Sequence, residues 1–321
     1  MNFKIRSFFT SYAMMSNLFL LFFLPSQSFA AKIKLISSSP DLAWVASKIG
    51  GQQVEVQSLL SGREDPHYVD ALPSFIRQVS EADIVCIVGL DLEVGWIPKV
   101  LSKSGNAAVQ PGGKGYCETG KSVDVIERPE GKIDRSQGDM HADGNPHFWL
   151  GPKAMGEAGK SILTTLMNVD PVHGNVYKQN FEDFQKELAQ LKTEINTMLK
   201  PLQGSKAPIV AQYHKEFSYF FHEFDISSLG SIEEKPGVPP SAGHIAKFSL
   251  TAKSKGVKIA LAKPNDPDAV LRRFAELSGA RVVRLSPSLI VGEISSYQEL
   301  LRSIAKQLIS IQTIKEEKKG S

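Results

Sequence analysis

Histidine is the residue type in this chain with the strongest claim to chemistry. Seven occur in the 321 residues: His67, His141, His147, His173, His214, His222 and His244. Three of them share a setting. His67 closes Glu64-Asp65-Pro66-His67, just past an apolar run ending near Leu60. His147 lies in Asn145-Pro146-His147-Phe148-Trp149, immediately before a helical pattern. His214 follows the apolar run 208–213 and precedes a helix beginning near Phe217. Each stands at the carboxyl end of a strand or at a loop-to-helix junction, where open α/β sheets bind ligands. Imidazole nitrogen is a common metal ligand, and three of them with a water or a carboxylate make a tetrahedral zinc site. The separations of 80 and 67 residues exclude a short zinc motif, so only the fold can assemble such a site. On spacing alone, surface or capping histidines are the competing reading.

Other reactive groups have less support. His141 lies in Asp139-Met140-His141-Ala142-Asp143, among Glu127, Glu130 and Asp134. That context reads as a solvated acidic loop, with a weak accessory metal contact as the alternative. His173, His222 and His244 read as structural or surface residues. Cys86 falls in the apolar run 84–88 and Cys117 in a Gly-rich stretch; a disulfide and a buried free thiol are both open. Gly112-Gly113-x-Gly115 is too loose for a phosphate loop, and no nucleophile elbow or His-Glu-x-x-His helix is present.

The elements that must position these residues follow from hydrophobic patterning. Apolar runs at 33–37, 54–59, 84–88, 208–213, 257–262 and 281–285 read as strands. Amphipathic stretches at 40–49, 73–81, 92–101, 152–167, 244–255, 268–278 and 296–312 read as helices. The alternation predicts βαβ units around mostly parallel sheets. One segment differs. Phe181, Phe184, Leu188, Leu191, Ile195 and Leu199 repeat at intervals of 3 and 4, opposite a polar face. A single helix starting near Gly174 and stopped by Pro201 is predicted, about 40 Å long. The expected fold class is therefore α/β, with two lobes joined by one long spine helix and the ligand site in the interlobe cleft. The expected segments are 31–172 for the first lobe, 173–201 for the connecting helix and 202–321 for the second lobe. Residues 111–145 read as a long surface loop.

Residues 1–30 carry Lys4 and Arg6, no acid, an apolar run from Leu18 to Leu24, and Ser28-Phe29-Ala30. This is the pattern of a cleavable secretory signal peptide, with cleavage expected after Ala30. The run is too short to span a bilayer, so no stable membrane insertion is expected. Removing the segment leaves 35 basic against 34 acidic residues, a formal charge of +1. Near-neutrality argues against a nucleic-acid partner. With two cysteines in 321 residues, a disulfide framework is excluded too. The mature chain is expected to be an exported monomer.

Read in order, further landmarks accompany the histidines. Asp65-Pro66-His67, Pro73-Ser74, Ala82-Asp83 and Gly89-x-x-x-Glu93-x-x-Trp96 resemble the first half of the zinc/manganese-binding solute-binding proteins of ABC importers (ZnuA/TroA-like). Asn145-Pro146-His147-Phe148-Trp149-Leu150 is similar to that family's NPHxWLDP motif, with Gly151 in place of Asp. Tyr213-His214-x-x-Phe217-x-Tyr219-Phe220 and Glu234-x-Pro236-Gly237-Val238-x-Pro240-Ser241 match its later segments. The resemblance runs from residue 32 to about residue 312. It implies a two-lobed, non-enzymatic periplasmic protein that captures a metal ion on His67, His147 and His214; three neutral imidazoles favour Zn²⁺ over Mn²⁺, which prefers oxygen ligands. It also implies delivery of the cargo to an inner-membrane ABC permease. The family commonly adds a carboxylate ligand, but here Ser286 stands where Asp is expected and Lys263-Pro264-Asn265 where relatives show Glu-Pro-Gln. Glu64, Asp65, Glu293 or a water are the candidates for that fourth position; an open position or a metal carried with a small chelator are the other outcomes. Rival functions are a secreted zinc hydrolase and a metal-binding adhesin or chaperone working without a permease.

Overall fold

Eight short strands and nine helices alternate along the residues described by this computed structural model, 31–130, 138–204 and 207–317, with side chains as far as 310. The expected signal segment 1–30 and its cleavage site lie outside them. The first half holds β1 (Ile33–Ser37), α1 (Pro40–Gly50), β2 (Val54–Ser58), α2 (Pro73–Ser80), β3 (Ile84–Ile87), α3 (Ile97–Ser104), β4 (Tyr116–Glu118) and α4 (Pro152–Val169). After α5 (Gly174–Leu199) come β5 (Val210–Gln212), α6 (Ser218–Glu223), β6 (Ser228–Ser231), α7 (Ala242–Ser254), β7 (Ile259–Ala262), α8 (Asp268–Ser278), β8 (Arg281–Arg284) and α9 (Tyr297–Glu317).

The strands form two four-stranded sheets, ordered β2-β1-β3-β4 and β6-β5-β7-β8, and every pairing is parallel. Both sheets thus repeat one topology, with the order reversing beside β1 and beside β5. Alternation along β3 shows how each sheet is covered. Ile84 and Cys86 face one apolar cluster, while Val85 and Ile87 join Val79, Trp96 and Val100 on the opposite face. Burial on both faces is why these strands are continuous apolar runs. The largest cluster includes Leu35 and Ile84 from the first sheet, Val210 and Leu261 from the second, and Phe184, Leu188, Leu191 and Ile195 of α5.

The 26-residue α5 is the predicted spine. Its buried residues Phe184, Leu188, Leu191, Ile195 and Leu199 follow the 3–4 periodicity, and it packs on α1, α4 and α9. Trp44 of α1 lies 5.7 Å from the Phe184 ring and 5.3 Å from that of Tyr297, so first-half, spine and C-terminal helices share one packed seam. Elsewhere the two halves meet backbone to backbone. Gly62 has φ +91°, and a Cβ there would fall 1.8 Å from the Leu289 carbonyl oxygen. Only glycine permits that approach.

Three expectations are corrected. The helix placed at 92–101 starts at Ile97, because the Glu93 carboxylate accepts the Val88 and Gly89 amides at 2.8 and 2.9 Å and holds residues 88–93 in a turn. Leu90 and Asp91 take positive φ values of 53° and 62° in that turn. The segment read as a surface loop at 111–145 contributes strand β4, with Cys117 1% exposed and in register with Cys86. Both cysteines are free and buried. The edge strand β6, Ser228–Ser231, is polar and contains Gly230 at φ +115°, so it carries no hydrophobic signature.

Candidate metal centre

The topology carries His67, His147 and His214 to one point. His67 sits on the loop after β2, which Trp96 anchors by donating its indole N–H to the Pro66 carbonyl at 3.0 Å. His147 immediately precedes the turn Phe148–Leu150 that leads into α4. His214 follows β5 after a single residue, Tyr213, and β5 is the strand beside which the second sheet reverses order. One ligand atom from each of the three lies within 4.8 Å of the others. The Nε2 atoms of His147 and His214 are 3.2 Å apart. Four nitrogens around a tetrahedral zinc at about 2.05 Å stand roughly 3.3 Å from one another, so this separation suits two ligands of one ion.

Each ring is oriented from behind. The Asp65 carboxylate accepts from His67 Nδ1 at 2.7 Å and from the His67 main-chain amide at 3.1 Å. Glu233 accepts from His214 Nδ1 at 2.7 Å and from the Gly237 amide at 3.1 Å. Such carboxylate–histidine pairs fix the tautomer with Nε2 unprotonated and raise its basicity. Asn145 bridges the other two loops: its Oδ1 accepts the His147 amide at 2.9 Å, and its Nδ2 donates to the Lys215 carbonyl at 2.8 Å. His147 Nδ1 is buried with no partner among the described residues.

Burial and the neighbouring charges together set the charge state of each group. Desolvation drives the His147 pKa well below its usual value, helped by the neighbouring His214 and His67. For His214 burial acts the same way, but the Glu233 hydrogen bond and the charges of Glu216 and Glu233 outweigh it, and its pKa is raised. For Asp65, burial is overcome by the His67 hydrogen bond and the Lys263 ammonium, so it stays ionised.

The sequence departures find explanations here. Lys263 Nζ lies 2.8 Å from Asp65 Oδ2 and 2.8 Å from Glu216 Oε1, with Glu216 nearly fully buried. An ammonium thus occupies the position of the expected glutamate and binds the carboxylate that orients His67. Ser286 lines the cavity that His67 and His147 also line, but its hydroxyl is engaged locally. Its hydroxyl donates to the Ser288 carbonyl at 2.8 Å and accepts the Ser288 amide at 3.2 Å. Where Gly151 replaces Asp at the start of α4, Glu223 supplies the missing carboxylate, accepting the Lys153 and Ala154 amides at 2.8 and 3.0 Å. Of the candidate fourth ligands, Asp65 is turned to the back of His67, Glu64 bonds Ser61 at 2.9 Å, and Glu293 pairs with Arg63.

His141 is not the solvated loop residue that its acidic neighbours suggested. Its Nε2 lies 3.2 Å from His67 Nε2, and desolvation, then the charges of His67 and His214, lower its pKa to about 3. His173 bonds Asp170 at 2.6 Å in the turn between α4 and α5, and His244 lies on α7 beside Glu234. Glu233 and Lys263 were not anticipated as partners of the ligands. A signal existed for Glu233, which immediately precedes the Glu234-x-Pro236-Gly237 landmark.

Residues 36–311 match the family model described as the zinc-uptake complex component A, periplasmic, ZnuA. The chain belongs to this family. It is a metal-binding, substrate-binding protein of an ABC transporter and not an enzyme. Among curated relatives, the high-affinity zinc uptake system protein ZnuA of Yersinia pestis is 25% identical over 293 residues, covering 87% of this chain and 91% of that one. The manganese ABC transporter substrate-binding lipoprotein PsaA of Streptococcus anginosus is 26% identical over 214 residues, 65% of each chain. A ZnuA crystal structure superposes with a TM-score of 0.72 at 22% identity, covering 87% of this chain and 99% of that one. A Mn-bound periplasmic metal binding protein from candidatus liberibacter asiaticus gives 0.71 at 18% identity, over 87% and 99%. At these identities the two structures speak for the fold, the α/β architecture of paired parallel sheets and a long helix. No helix among the described residues is long and apolar enough to cross a membrane.

Proposed function

We propose that this chain is a periplasmic zinc-capture protein, exported by residues 1–30 and cleaved after Ala30, that holds Zn²⁺ on His67, His147 and His214. It acts as a monomer and hands the ion to an inner-membrane ABC permease. The observation that carries this reading is the convergence of three imidazole ligand atoms within 4.8 Å, with two of the rings held from behind by carboxylates. Neutral imidazoles favour Zn²⁺, whereas Mn²⁺ prefers oxygen donors. No carboxylate joins the histidine group among the described residues. The PsaA relative is named for manganese; the all-nitrogen ligand set is what favours zinc in this reading.

The lobes are residues 31–172 and 202–321, connected through 173–201. His67 and His147 come from the first and His214 from the second, so the ion ties the two together. Because α5 packs along α1, α4 and α9, a wide hinge swing would break its core; loop rearrangement around the site is the motion that fits. Calorimetry of the His67→Ala/His147→Ala/His214→Ala variant tests the assignment. Loss of stoichiometric zinc binding is the expected result, and unchanged zinc affinity would remove the reading. Titrating Mn²⁺ against the zinc-loaded protein tests selectivity, with no displacement expected at equal concentrations.

A further inference from the structure

The inference rests on the three-histidine reading above and adds a residue to it. His141 reaches the site from the segment that follows residues 131–137. Its Nε2 is 3.2 Å from Nε2 of His67, matching the 3.2 Å between His147 and His214. The imidazole also hydrogen bonds the main chain of Leu90, and with Nε2 facing His67 that bond falls to Nδ1. A ring donating through Nδ1 carries its lone pair on Nε2. His67, which donates through Nδ1 to Asp65, carries its lone pair on Nε2 as well. At 3.2 Å the two nitrogens either share a proton or flank a metal ion, and with both Nδ1 atoms engaged as donors the neutral rings turn both Nε2 lone pairs to the same point. The outward hydrogen bond to a carbonyl is also how metal-binding histidines are characteristically fixed.

The backbone around His141 is built to hold this approach. The Asp139 amide donates to the Pro236 carbonyl at 2.8 Å, and Tyr68, the residue after His67, hydrogen bonds the Asp139 carboxylate. Gly138 has φ +84°, and a Cβ there would meet the Pro236 oxygen at 2.3 Å, so only glycine lets the segment lie against the second lobe. The Gly144 amide closes the turn on the His141 carbonyl at 3.1 Å. His141, His147 and His214 line one cavity of about 360 Å³. The His141 and His147 ring centroids are 6.5 Å apart, against 5.2 Å for His147 and His214. His141 is therefore not among the three whose ligand atoms all lie within 4.8 Å of one another, and a fourth bond requires the turn to move inward.

We propose that His141 is the fourth ligand of the bound zinc, completing an all-imidazole tetrahedron where relatives use a carboxylate. Zinc K-edge X-ray absorption on the zinc-loaded full chain counts the coordinating imidazoles, and competition with a chromogenic chelator gives the affinity. The expected result is four imidazoles in the native protein, three in His141→Ala, and a zinc affinity about 100-fold weaker, the upper end for perturbing a metal site. His141→Gln, which keeps a polar side chain on the turn, should behave like the alanine variant. Three imidazoles in the native protein, or an unchanged affinity in both variants, overturns the proposal. If His67→Ala/His147→Ala/His214→Ala abolishes binding while His141→Ala is silent, only this inference falls. If the triple variant binds as well as the native chain, the underlying site assignment falls instead.

Discussion

Replacing Lys263 with Met should destabilise the metal-free protein and leave the ligands in place. Lys263 Nζ lies 2.8 Å from both Asp65 and Glu216, and its side chain is only 20% exposed. At an effective dielectric of about 20, each contact at 2.8 Å is worth roughly 6 kcal/mol of Coulomb energy before desolvation. Asp65 is about a third exposed, so solvent screens its share. Glu216 decides the outcome: it is 3% exposed and its other oxygen, Oε2, has no partner among the described residues. Without the ammonium it becomes an unpaired buried carboxylate, a loss that typically costs about 3–5 kcal/mol. For a chain of this size that corresponds to a Tm lower by roughly 6–10 °C. Thermal unfolding of zinc-free Lys263→Met, with and without Glu216→Gln, measures it. The double variant should recover most of the loss, since the uncharged amide removes the buried charge. Both should still show a zinc-induced rise in Tm, because His67, His147 and His214 are untouched. A single variant within about 1 kcal/mol of native, or a double variant no better than the single, would refute the reasoning.

Three further outcomes follow from the same geometry. Glu233→Ala should weaken zinc binding by about 10- to 100-fold and Glu233→Gln by less, because the amide oxygen can still accept from His214 Nδ1; equal affinities by chelator competition would contradict the orienting role. Asp41, buried and accepting from Ser288 and from the Leu289 amide, has its pKa raised from 3.8 to about 6, chiefly by desolvation. The folded state therefore binds the proton more tightly: the stabilisation is complete below about pH 4 and is lost as pH rises through 6, an effect of about 3 kcal/mol. Asp41→Asn should abolish that slope in urea titrations between about pH 4 and 7 and gain stability at neutral pH; an unchanged slope would show that other groups produce it. Burial pushes the Cys86 thiol well above its usual pKa, and Cys117 is in register beside it. Both thiols should resist a thiol reagent in the native protein and react only in denaturant, whereas a missing pair of thiols after unfolding would reveal a disulfide.

The histidine triad was legible because strand ends and helix starts can be placed from apolar periodicity, and His67, His147 and His214 all sit at such junctions. The spine was legible for a similar reason: Phe184 to Leu199 repeat on one face, and that face is the buried one. What stayed hidden depends on long-range pairing. Lys263 read only as a missing acid, because nothing local says that its Nζ reaches Asp65, 198 residues away. His141 sits 74 residues from His67 in an acid-rich segment whose composition describes solvent exposure. Strand β6 pairs with β5 through polar residues, and only that pairing puts Glu233 behind His214. The late start of α3 was hidden because Leu92 and Trp96 suit a helix locally, while Glu93 spends its carboxylate on the amides of Val88 and Gly89.

The loss of a ligating carboxylate does not leave the cargo's charge unanswered. Asp65, Glu216 and Glu233 stand around the histidines with Lys263, so carboxylates outnumber the ammonium there. The difference from a carboxylate-ligated site lies in distance. In the proposed site every ligand atom is a neutral nitrogen, and the carboxylates stand one imidazole ring away or farther, at the Nδ1 side of His67 and His214. Long-range attraction to the dication is kept, and a direct bond from metal to ionised oxygen is absent. On the proposed reading, capture depends on three or four imidazoles being held together by loops from both halves of the chain. Displacing one of those loops, such as the His67 loop anchored through Trp96 or the turn bearing His141, removes a nitrogen without stranding a bare carboxylate on the ion. That makes stepwise release by loop movement an easier path than opening the core along α5.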